Sequence, residues 1–203
     1  SKMSQPEEAV AVYRKIIQAD GKVDKEDIDA LTQLEKALTQ RGENKEAIEI
    51  LEQLAELRPL RAKEYYHRIA ELSLKTYEDD KAVRFAKLAL EKNPDDATAH
   101  ARLGDVYAKM QRMEEALKEY RTAIDLDPRS FPNYFALAEI LLDLGQREEA
   151  KELYRAVALK AFDDQMILVA ARQAMALSRS YGELEFLEGE LAPLVFRSPP
   201  KHV

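Results

Sequence analysis

With 203 residues, 46% of them hydrophobic, the chain is long enough to bury a sizeable core, and its 6 glycines and 8 prolines against abundant Ala, Leu, Glu, Lys and Arg favour helix almost everywhere. A formal charge of −7 excludes general affinity for nucleic acid phosphates, which needs clustered, uncompensated Lys and Arg. The absence of cysteine removes disulfides, thiolate metal sites and cysteine nucleophiles and fits a reducing, cytoplasmic setting; no run is apolar for long enough to insert in a membrane, and Ser1 to Glu8 lacks the basic-then-apolar layout of a secretion signal.

From the N-terminus, residues 6–20 predict a helix with Ala9, Tyr13 and Ile16 on one stripe, started by the capping box Ser4-Gln-Pro-Glu7. Its stripe matches that of a later helix, Glu114 to Ile124, whose partner helix has no counterpart ahead of residue 6. Two explanations compete: a natural cap, or a fragment cut from a longer array, and the half-repeat favours the fragment. Asp20-Gly21-Lys22-Val23-Asp24 invites a calcium-loop reading, but Lys22 and Leu31 stand where acidic ligands are needed and Lys25 where the loop needs glycine, so a loop with Asp24 or Asp27 near a helix start is the better account.

Beyond it, one pattern returns every 34 residues. In the unit 97–130, His100, Leu103, Gly104 and Tyr107 share one helical face, Gln111 and Arg112 form a tight connection, and Ala116, Tyr120 and Ala123 share a second face before Pro128 stops the helix. The same slots hold Tyr66, Ile69, Ala70, Ser73, Ala82, Ala86, Ala89 and Pro94 in the unit 63–96, and Tyr134, Leu137, Ala138, Leu141, Ala150, Tyr154 and Val157 in the unit 131–164, where Phe162 replaces the proline. An earlier unit, 28–62, carries Leu31, Leu34, Leu38, Ala47, Leu51, Leu54 and Pro59, with Gly42 at its inter-helix turn. Residues 165–196 give a degenerate unit with Leu168, Ala171, Met175, Leu184 and Leu191, and 197–203 read as a tail.

These residues resemble the tetratricopeptide repeat family: Leu103-Gly104, Tyr107, Ala116, Tyr120, Ala123 and Pro128 follow its signature, while His100 departs from its aromatic first slot and Glu35 from its Gly slot. The resemblance implies an all-α fold, a single right-handed solenoid domain of antiparallel helix pairs with about eleven helices and no β-sheet, and a protein or peptide partner held in the concave groove. Family geometry assigns to that groove His67, Arg68, Glu71, Lys75 and Glu64 of one first helix, Arg102, Asp105 and Lys109 of the next, and Phe135, Glu139 and Leu142 of the third. The expected groove is charged at its centre and apolar through Phe135, Leu142, Val169 and Leu177, which suits a peptide whose acidic group meets Arg68 and Arg102 while an apolar side chain packs on Phe135 and Leu142. Some family members clamp the acidic tails of heat-shock chaperones with Lys, Asn and Arg in fixed slots; here those slots hold Thr32, Lys36, His67 and Glu71, and that activity is rejected.

Catalysis has little to draw on. The three histidines, His67, His100 and His202, sit in no motif; His67 and Glu71 lie one turn apart but lack a third metal ligand, and His100 reads as a packed substitute for an aromatic. The pairs Glu114-Glu115 and Glu148-Glu149 read as solvated charges on outer faces, near Lys118 and Arg121. The sequence thus predicts a binding module or scaffold with no cofactor or metal and no enzymatic activity; the alternative is a self-association unit building homo-oligomers through its terminal repeats.

Overall fold

The computed structural model describes residues 10–11, 14–15, 28–91, 93–161, 163–178 and 189–190. Among them are nine α-helices and no strand: α1 (Ile28–Arg41), α2 (Asn44–Leu57), α3 (Ala62–Lys75), α4 (Asp79–Glu91), α5 (Ala97–Lys109), α6 (Met113–Leu126), α7 (Phe131–Asp143), α8 (Arg147–Lys160) and α9 (Asp164–Ala176), with a 3-10 turn at Pro59–Arg61. The odd-numbered helices from α1 to α9 begin within one residue of the predicted repeat starts. The chain divides into two compact units, 1–111 and 112–203. Helices adjacent in sequence pack as antiparallel pairs within each unit, α1 through α5 in the first and α6 through α9 in the second.

The small residues of the stripes are what make these pairs possible. Ala82, Ala89, Ala116, Ala123, Ala138 and Ala150 are fully buried, and a methyl side chain lets two backbones close while Ile69, Leu51, Leu141 and Val157 fill the space around them. Tyr107 and Tyr120 are buried, each within its own unit, and Tyr66 tilts against Phe85 with ring centroids 5.5 Å apart. His100 is half-buried and its Nε2 lies 2.9 Å from the Pro94 carbonyl oxygen.

Among the described residues, four connections between helices consecutive in sequence turn through one left-handed residue: Gly42 (φ 77°), Tyr77 (φ 60°), Gln111 (φ 59°) and Gly145 (φ 75°). In three of them the hydrogen bonds of a helix-closing motif are present, Glu43 N–H to Leu38 O at 2.9 Å, Glu78 N–H to Ser73 O at 2.8 Å and Gln146 N–H to Leu141 O at 2.7 Å. Two first helices instead begin on side-chain caps, Asp96 accepting from the Ala99 amide and Asp163 from the Met166 amide.

At the N-terminal side of the first unit, Val10 is buried and Arg14 makes a bidentate pair with Glu46 in α2, its Nη2 donating to Oε1 at 2.7 Å and Oε2 at 2.5 Å. At the other end Arg155 of α8 grips Glu190 at 2.6 and 2.7 Å, so the carboxyl of Glu190 is held below its usual range chiefly by that hydrogen bond. The rest of the stripes expected at 6–20 and 179–196, the segment Asp20–Asp24, Phe162, His202 and the tail lie outside the described residues.

Candidate functional site

The helix faces that carry the expected groove residues sit in different units. In the first, α3 packs against α5, and Asp96 ties the start of one to the start of the other: it caps α5 through the Ala99 amide at 3.1 Å and accepts from Lys63 Nζ of α3 at 2.6 Å. Burial alone would raise its carboxyl, but the Lys63 ammonium and the Ala99 and Thr98 amides outweigh burial and hold it below the ordinary carboxylate range. One turn further along α3, His67 is 8% exposed and its Nδ1 is buried without a hydrogen-bond partner. Burial, with the positive charge of Arg102 next, pushes its pKa down to about 4, so the imidazole is neutral at pH 7.

Arg68 does not face outward as a free cation. It hydrogen-bonds Glu35 Oε1 in α1, which also accepts from Thr39 Oγ1 at 3.0 Å, and Glu35 is itself only 3% exposed. The glutamate that breaks the family pattern in the first full repeat is therefore the partner of the arginine one repeat on. Lys75 is likewise engaged, with Glu71 at 3.1 Å. Arg102 and Lys109, both exposed, make no salt bridge among the described residues. Asp105 lies on the same exposed face of α5.

Two openings mark this face. One of about 500 Å³ is lined by Lys63, Glu64, His67, Arg68, Glu71, Asp96, Thr98 and Arg102. The other, of about 130 Å³, runs deeper between His67, Ala70, Glu71, Leu74, Ala86, Arg102, Asp105, Val106 and Lys109. Arg102 and His67 line both, so a cation without a partner and a neutral imidazole are presented together. Among the described residues no group of three acids or histidines could hold a metal ion.

In the second unit, α7 brings Phe135, Glu139 and Leu142 to one face. Phe135 is half-buried and tilts against Tyr154 of α8 with centroids 5.6 Å apart, so part of its ring is already used inside the fold. Tyr154 is 3% exposed, and its phenol is pushed up first by burial and then by Glu139. Leu142 is half-buried, Val169 is 46% exposed, and Leu177 is buried and so has little to offer a ligand.

Family models described as "Tetratricopeptide repeat" and "TPR repeat" match residues 30–64 and 104–145, respectively. No curated protein matches the chain. Among solved structures, the fold is similar to MamA 41-end from Desulfovibrio magneticus RS-1, with a TM-score of 0.59 and 23% identity over 75% of this chain and 83% of that one. It is similar also to TTC0263, described as a thermophilic TPR protein in Thermus thermophilus, with a TM-score of 0.57 and 22% identity over 83% of this chain and 90% of that one. At these identities the likeness is one of fold. Among the described residues no helix is long and apolar enough to cross a membrane. With two repeat models matched and the helix pairs in place, the chain is a tetratricopeptide repeat protein, of a family that generally mediates protein–protein interactions and is typically non-catalytic.

Proposed function

We propose that the chain is a non-catalytic binding module whose α3/α5 face holds an acidic peptide segment of a partner protein, with Arg102 as the anchoring cation. The observation that carries this reading is a difference among the cations of that face. Lys63, Arg68 and Lys75 are each taken by a carboxylate, whereas Arg102 lines both openings with none among the described residues. An incoming carboxylate would gain a charge-assisted, bidentate contact there without first breaking an internal pair. Lys109 stands at the last residue of α5 and is a secondary cation of this site. In the second unit, taken by itself, Phe135 and Leu142 are proposed to receive an apolar side chain.

The test is a titration of a fluorescein-labelled hexaglutamate peptide, read by anisotropy, into the wild-type chain and an Arg102→Glu variant. Arg102→Glu should weaken binding by roughly tenfold or more, and added salt should weaken the wild type, since the contact is between exposed charges. Equal affinity of the two chains, or no saturable binding to either, would sink the reading. A pull-down from the source lysate with the same pair of baits then identifies the natural partner.

A further inference from the structure

We propose that the turn between α3 and α4 is a self-association surface, through which two copies of the chain pair about a two-fold axis by exchanging Tyr77 side chains and a Lys109–Asp79 ion pair. The first observation is an aromatic residue in a costly place. Tyr77 has φ of 60° in a slot that Gly42 and Gly145 fill elsewhere. A side chain with a Cβ costs roughly 1–2 kcal/mol in that conformation, and glycine almost nothing. Nothing among the described residues offsets this, because Tyr77 is 92% exposed and its side chain takes part in no ring contact or hydrogen bond with them.

The second observation lies beside it. A cavity of about 450 Å³ is lined by Tyr77 and by Leu74, Lys75, Lys109, Met110 and further residues of the two turns. Glu71 and Lys75 in that lining neutralise each other at 3.1 Å. Asp79 and Lys109, also in the lining, each lack an ion pair among the described residues. The surface therefore presents an aromatic knob next to a hole, and an unpaired acid next to an unpaired base. An acidic partner would satisfy Lys109 and face Asp79 with a like charge; a basic partner would do the reverse. A second copy related by a two-fold axis satisfies both groups twice, and each Tyr77 enters the cavity of the other chain. Each ring buries roughly 150–250 Å² of its own surface, so the interface is small and the dimer is a weak one.

The experiment is sedimentation equilibrium of the full chain from roughly 10 to 500 µM, spanning the concentrations where small interfaces associate. The wild type should rise from its 23.2 kDa monomer towards twice that mass. Tyr77→Gly should remain monomeric with an unchanged or higher melting temperature, because glycine suits the turn. Asp79→Lys and Lys109→Asp should each remain monomeric, and the double variant carrying both should dimerise again, since the swapped charges face each other across the axis. A wild type that stays monomeric throughout, a Tyr77→Gly variant that associates like the wild type or melts lower, or a charge swap that fails to restore pairing would each overturn the proposal. Tyr77→Gly touches neither Arg102 nor Lys109, so its outcome stands apart from the peptide titration.

Discussion

The first helices of the two units are built on the same small-residue stripes and differ in what they leave for a partner. On α3 and α5 the face is charged, and most of its charges are engaged with one another: Lys63 with Asp96, Arg68 with Glu35, Lys75 with Glu71. On α7 the face is apolar, and its largest side chain, Phe135, is held from behind by Tyr154. A repeat frame fixes which slots point where, but whether a slot is available depends on what the neighbouring repeat does with it. Arg68 and Arg102 occupy equivalent slots, and among the described residues only Arg68 has an internal carboxylate.

The sharpest way to break the comparison is to remove the support of the apolar face. Tyr154→Ala deletes a ring that is 3% exposed and should cost about 3–5 kcal/mol, the range for truncating a large buried aromatic. Urea unfolding measures it. A loss below about 1 kcal/mol would mean that the Phe135–Tyr154 contact is not what holds α7 against α8.

The charged face has its own liability, in His67. Its folded pKa of about 4 lies below the ordinary 6.5, so the unfolded chain binds the additional proton first as pH falls. The stabilisation from keeping the imidazole neutral is complete above pH 6.5 and is lost as pH drops towards 4, a change of roughly 2–3 kcal/mol at most. His67→Leu should flatten the stability profile through that window and leave the chain at least as stable at pH 7, because the buried Nδ1 without a partner is removed with the ring. A profile identical to that of the wild type would remove His67 from the account.

Next in size is the pair that takes Arg68 out of contention. Glu35→Ala releases Arg68 and leaves Thr39 without its acceptor, at a cost of about 1–2 kcal/mol, reduced because Arg68 is 45% exposed on its side chain. The same variant should tighten hexaglutamate binding, since it adds a second free arginine beside Arg102. Unchanged affinity would show that Arg68 cannot reach a ligand on this face.

Much of this architecture is legible in the sequence, because stripe spacing, small residues and helix stops are local. The helix starts at Ile28, Ala97 and Phe131 coincide with the predicted repeats, and Gly42 marks a real turn. What escaped depends on contacts across one repeat. Glu35 reads as a departure from the family pattern, and its pairing with Arg68 thirty-three residues on is visible only once the helices are stacked. His67 reads as a groove residue, and its near-complete burial beside Arg102 of the next first helix is likewise visible only once the helices are stacked. The turn at Tyr77 was missed for a different reason: a left-handed residue is expected to be glycine or asparagine, and tyrosine gives no signal there, although its spacing from Gly42 and Gln111 does.

That turn also supplies the smallest contrast between the units. Gly145 in the second unit and Tyr77 in the first share the left-handed conformation, and a Cβ built on Gly145 meets nothing within 4 Å. Gly145→Ala therefore tests conformation alone, with no clash to confuse it, and should cost about 1 kcal/mol. Tyr77→Gly is the reverse change and should gain no more than that, since glycine relieves the turn but adds entropy to the unfolded chain. Thermal unfolding in dilute solution, where the chain is monomeric, reads both. If Gly145→Ala were neutral, the left-handed slot would carry no penalty and Tyr77 would need no explanation. A loss at Gly145 with a gain at Tyr77 makes the tyrosine a residue retained against the stability of its own turn.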